Sequence, residues 1–240
     1  LVLAVMIATA LLSMLVSNTA TTAMMVPIAV GLAEQVTDGG SAADGDGGRN
    51  LRLALLLGIA YAASLGGVGT LIGTPANAIV VSQLEAHLGY TVSFVDWLVV
   101  GLPLVAVSLP VAWYLLVRLY PPEASDVASA RHHAAQTLAE LGPLSPAGRR
   151  TLAITGATAG LWVLGGLDFA FEGVLPPVYY DTLFGGAGSI VGAPHQGVLY
   201  YVLVGLAAVP ALVAGGCVDW DDVQGIDWGT LVLLGGGLAL

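Results

Sequence analysis

The sequence predicts an all-α polytopic membrane protein, with a re-entrant helical hairpin and broken transmembrane helices. Three observations lead there. The 240 residues are 57% hydrophobic and 9% charged, with a mean hydropathy of +0.88. Soluble domains carry about a quarter charged residues, and a lipid-facing surface accounts for the deficit where a core alone does not. Several apolar stretches approach the ~20 residues a helix needs to cross a bilayer. Two of these stretches are interrupted in mid-course, at Ser17-Asn18-Thr19 and from Gly66 to Asn77.

The elements follow in order. Residues 1–37 are apolar without a charge until Glu34, and read as a re-entrant hairpin with Asn18 at its tip. Each half has about 16 residues and spans roughly 24 Å at ~1.5 Å per residue, which is short for a full crossing. Residues 38–50, DGGSAADGDGGRN, form a flexible acidic loop. Residues 51–90 make a broken transmembrane helix around the turn GGVGTLIGTPAN, and 91–120 a plain one ended by Arg118 and Pro121-Pro122. Residues 121–150 are a polar connector with a short helix predicted at 126–141. Residues 151–216 hold two transmembrane helices, joined over 168–196 by a Gly- and Pro-rich loop with interfacial aromatics. Residues 217–227 form an interfacial arm, and 228–240 begin a further apolar helix. Because Leu1 and Leu240 both fall inside apolar runs, the chain reads as a fragment of a longer protein.

Charge predicts sidedness and excludes some functions. All six basic residues are arginines, and they lie in or beside 38–50 and 121–150. The positive-inside rule therefore places those loops, and the 217–227 arm with them, in the cytoplasm of a multi-pass cytoplasmic-membrane protein. A net charge of -10 without a basic patch argues against a nucleic-acid partner. Acidic, lysine-free loops fit a halophilic prokaryote, and drift in a GC-rich genome fits them equally. The single Cys217 excludes an intrachain disulfide. His87, His132, His133 and His195 have no second ligand at metal spacing. An enzyme is not expected, since no nucleophile–base pair lies at membrane depth.

The two interruptions carry the predicted chemistry. Backbone that stops being helical in a bilayer is tolerated only where protein or a water-filled cavity meets its freed groups. At Ser17-Asn18-Thr19, one helix ends with orphan carbonyls and the next begins with orphan N–H groups. Such a tip can offer oxygens to a cation and donors to an anion. Ser13, one turn earlier on the same face, can add a hydroxyl. In the second interruption, glycines permit an unwound turn, and Thr74-Pro75 reads as N-cap and first helical residue. Gly73 leaves its carbonyl open to an ion. Polar kinks and close glycine packing compete as purely structural readings. A phosphate-binding loop does not, because no lysine follows the glycines.

Paired broken helices point to a secondary transporter. Without acids or bases at either tip, hydroxyls, an amide and backbone dipoles suit a hard alkali cation. A channel or structural subunit would need both breaks to be packing features only. Residues 185–196, GGAGSIVGAPHQ, echo 66–77, and coincidence in a Gly-rich loop is the preferred reading.

SNTATTAMMVPIA (17–29), GGVGTLIGTPANAI (66–79) and WGTLVLLGGGLAL (228–240) resemble the divalent anion:sodium symporter family of the ion transporter superfamily. The resemblance implies Na⁺-coupled symport of a small divalent anion of the dicarboxylate, citrate, sulfate or phosphate class. Related carriers for arsenite efflux or Na⁺/H⁺ antiport are the alternative. It makes Ser13, Ser17, Asn18 and the Gly73 carbonyl sodium ligands, with Asn18, Thr19, Thr74 and Pro75 lining the anion site. It further implies an inverted-repeat transporter fold, a homodimer, and a second hairpin beyond 228–240. The family often has two prolines in the turn; here the second position is Ala76.

Overall fold

A computed structural model describes residues 1–38, 46–122, 142–186 and 196–225, and the single positions 229, 232 and 236. The elements are α1 (Val2–Ser13), α2 (Asn18–Asp38), α3 (Asp46–Gly69), α4 (Pro75–Leu88), α5 (Phe94–Leu119), α6 (Pro146–Gly165), a 3₁₀ turn (Asp168–Ala170), α7 (Pro177–Phe184), α8 (Tyr201–Ala214) and α9 (Trp220–Gln224). The described residues contain no strand, as an all-α fold requires. Gly48–Gly69 within α3 and the whole of α5 are long and apolar enough to cross a membrane; α1 and α8 are shorter apolar helices.

The chain divides into two compact units, residues 1–78 with 97–142 and residues 79–96 with 143–240. In the first, α3 is the central element. Its Leu51, Leu55, Ile59 and Ala62 share one buried core with Val2, Met6 and Ala10 of α1. These α1 positions recur at helical spacing and so form one face. On α2, Thr21, Met25, Ala29 and Ala33 repeat every fourth residue and are all buried. Small residues let the helices approach closely. A Cβ on Gly58 would press on Met6, and one on Gly66 would collide with the backbone of Ala10. Outward faces stay apolar, with Leu11, Met24, Ile28, Val99, Val107 and Leu115 exposed. Patches of this kind are uncommon on soluble monomers and ordinary for lipid-facing helices.

In the second unit, Ser145 caps α6 by accepting a bond from the Gly148 N–H at 3.0 Å, and Pro146 takes the first helical position. Trp162 on α6 donates to the Tyr201 carbonyl at 2.9 Å and packs on Phe94 with ring centroids 5.5 Å apart.

The first break is shifted toward the N-terminus, to residues 14–17, and the second is narrower than the sequence suggests. The first lies between Ser13 and Asn18, so Asn18 and Thr19 open α2; the second lies between Gly69 and Pro75, so Gly66 and Gly67 stay helical. Residues 46–50 already belong to α3, and 146–150 to α6. The region 168–196, read as a loop, contains α7. Pro176-Pro177 starts that helix, and Phe184 holds it through ring contacts with Phe171 and Tyr180 at 5.4 and 5.2 Å. The helix expected at 126–141, most of the 185–196 echo and nearly all of 228–240 lie outside the described residues.

Candidate functional site

The two breaks meet on α3. Ser13 ends α1 fully buried, its Oγ lying 2.7 Å from the Ala63 carbonyl of α3 and 2.8 Å from Asn18 Oδ1 at the start of α2. A serine hydroxyl has one proton, so it donates to only one of these acceptors at a time. The other contact is then an oxygen pair without a hydrogen between them. Such a pair attracts positive charge.

Asn18 also lies against Gly67, where any Cβ would collide with its amide oxygen. Gly67 is therefore needed for close approach, not for unwinding. Gly73 is buried in the second break. A Cβ there would stand 2.5 Å from the Gly67 carbonyl oxygen and 3.0 Å from that of Ser13. Ser13, Asn18, Gly67 and Gly73 thus converge through neutral oxygens and backbone.

Three side chains brace this cluster. Thr70 Oγ1 donates across to the Met14 carbonyl and ties the second break to the end of α1. Asn77, 4% exposed, donates from Nδ2 to the Gly67 and Thr70 carbonyls at 2.8 Å each. These carbonyls lie where α3 runs out, and helix ends leave such acceptors orphaned. Trp97 Nε1 donates to the Val68 carbonyl at 2.9 Å. None of the three stood among the sequence-derived site residues. Asn77 carried the readable signal, an amide three residues into the helix that follows a Gly-Thr-Pro turn.

The remaining candidates sit at the rim. Ser17 is exposed, and its hydroxyl caps α2 by accepting from the Ala20 N–H at 3.3 Å. Thr19 and Pro75 are exposed and Thr74 is half-buried. Among the described residues, no hydrogen bond joins the side chain of Thr19 or Thr74 to the buried cluster. The starts of α2 and α4 follow directly on the two breaks, and helix N-termini carry the positive ends of their dipoles. The arrangement offers buried neutral oxygens for a hard cation beside accessible donors for an anion. Among the described residues no metal-binding group of His, Cys, Asp or Glu occurs.

Comparison with known proteins identifies the family. A match to the family described as citrate transporter runs over residues 1–240. An uncharacterized transporter of Haemophilus influenzae is 34% identical over 233 residues, covering 97% of this chain and 43% of the relative. The sodium-dependent dicarboxylate transporter SdcS of Staphylococcus aureus strain USA300 is 30% identical over 241 residues, covering 98% of this chain and again 43% of the relative. The chain therefore spans less than half the length of these relatives. Apolar helices and a family match along its whole length agree, and the chain belongs to the citrate transporter family, membrane transporters rather than enzymes.

Proposed function

We propose that this chain supplies part of the binding site of a secondary active transporter that carries a divalent anion together with Na⁺ across the cytoplasmic membrane. The observation that carries this reading is the convergence of Ser13 Oγ, Asn18 Oδ1 and the Gly73 backbone at the two helix breaks. Hard cations such as Na⁺ favour oxygen ligands, and unwound backbone with helix ends is how carriers of this kind hold them. No ionised side chain hydrogen-bonds to the cluster among the described residues, which fits an alkali cation better than a proton relay. A relative named as sodium-dependent supports the same choice of ion.

In this reading Ser13, Asn18 and Gly73 ligate Na⁺, and Ser17 contributes from the neighbouring turn. Asn18, Thr19, Thr74 and Pro75 line the anion site, where the bound cation and the N-terminus of α2 balance the charge. Dicarboxylates, citrate, sulfate and phosphate share the chemistry such a site selects, two negative charges and several acceptor oxygens. The first two helices form a re-entrant hairpin with cytoplasmic ends, and the working carrier is a homodimer with an inverted repeat.

The test is uptake of labelled succinate, citrate and sulfate by the full-length protein in proteoliposomes, with external Na⁺ replaced by K⁺ or choline. Uptake of at least one anion should collapse without Na⁺. Uptake indifferent to Na⁺ would withdraw Ser13, Ser17, Asn18 and Gly73 as its ligands.

A further inference from the structure

Thr21 departs from a pattern that five other helical threonines keep. A helical threonine commonly donates its hydroxyl to the carbonyl one turn back. Thr9 does so to Val5, Thr22 to Asn18, Thr151 to Ala147, Thr158 to Ile154 and Thr182 to Val178. Each of these lies in a helix and is not exposed. Thr21 is fully buried, yet its Oγ1 has no protein partner among the described residues. The carbonyl it would use, that of Ser17, accepts only the Thr21 backbone N–H, at 2.9 Å. The hydroxyl makes no bond to its own helix.

Position says what it lies beside. Thr21 heads the buried stripe that continues through Met25, Ala29 and Ala33. It lies three residues after Asn18, and helical residues three apart are neighbours on one face. Side chains on a helix lean toward its N-terminus, so Thr21 leans toward the turn that presents Asn18. An unsatisfied hydroxyl in an apolar interior is costly, and valine has nearly the same shape without that cost. A hydroxyl held free at this place has lone pairs ready for a cation.

We propose that Thr21 Oγ1 is a further ligand of the cation bound by Ser13, Asn18 and the Gly73 carbonyl, closing the site from the α2 side. The proposal rests on the Na⁺ reading above and deepens it.

The test is thermal unfolding of the full-length transporter in detergent, titrated with NaCl against choline chloride. Wild type should be stabilised by Na⁺ and not by choline, because a ligand that binds only the folded state raises its stability. Thr21→Ser should keep that response. Thr21→Val should unfold in choline at the wild-type temperature or above, since an unpaired polar group has gone. Its Na⁺ midpoint should rise about tenfold or more, the factor that corresponds to losing ~1.4 kcal/mol of binding. Thr21→Ala provides a second hydroxyl-free variant without a β-branch. A valine or alanine variant that titrates with the wild-type midpoint overturns the proposal and leaves the hydroxyl a partner for buried water only. A wild type that does not respond to Na⁺ overturns both this proposal and the coupling-ion reading beneath it.

Discussion

Replacing Asn77 with alanine should loosen the second break without touching the ion. Its amide satisfies the Gly67 and Thr70 carbonyls at 2.8 Å each, in a place where Asn77 is 4% exposed. A buried acceptor left unpaired costs about 1–3 kcal/mol. The Thr70 carbonyl keeps a longer bond from the Gly73 N–H at 3.2 Å, so its share falls at the low end. The Gly67 carbonyl loses its bond from Asn77 outright and takes the middle of that range. The ordered turn then loses about 3 kcal/mol, equivalent to roughly 100-fold in its population. In the proposed site only the ordered turn presents the Gly73 carbonyl, so apparent Na⁺ affinity drops by at most that factor. The assay is the Na⁺ dependence of anion uptake by the full-length protein in proteoliposomes. Half-saturation should move up tenfold or more, while the maximal rate returns at high Na⁺. A fall in maximal rate at an unchanged Na⁺ midpoint would refute the argument, since it would put Asn77 in the anion's path instead of behind the turn.

Further variants probe the same geometry. Gly67→Ala drives a Cβ into the Asn18 amide and should abolish Na⁺-dependent uptake although alanine favours the helix; Gly31→Ala, with nothing within 4 Å, should be silent or slightly stabilising in a thermal melt. Asn18→Ala removes an oxygen of the buried cluster and should abolish Na⁺ stabilisation in the same melt, with an unchanged Na⁺ midpoint counting against its role. Thr74→Val should raise the anion's KM more than the half-saturating Na⁺ in uptake assays; the reverse order would exchange the two roles. Trp162→Phe removes the 2.9 Å bond to the Tyr201 carbonyl and should lower thermal stability by about 1 kcal/mol, with Na⁺ affinity intact.

Much of the candidate site's framework, its two helix breaks, was legible because its signals are local. Ser, Asn and Thr in an apolar run, and Gly-Thr-Pro in another, break helices by residue-scale chemistry that any neighbour would see. Gly66 and Gly67 misled for the same reason. Their freedom to unwind is intrinsic, but packing decides its use, and here Ala10 and Asn18 occupy the space a side chain would need. Thr70 and Asn77 were missed as braces because their partners lie 56, 10 and 7 residues away, distances at which helical periodicity says nothing. The helix α7 escaped because two adjacent prolines mark a helix start as readily as a loop.

Both breaks hang from α3, through Ala63 to Ser13 and through Gly67 to Asn77 and Asn18. That shared anchor makes the proposed ligand set one mechanical part. Any displacement of α3 carries Ser13, Asn18 and Gly73 with it, so the oxygens around an ion keep their spacing while their surroundings change. In the proposed carrier, access and affinity are thereby separable. A motion that exposes the site to the opposite solution has no need to dismantle it, and release is then governed by which solution the site faces.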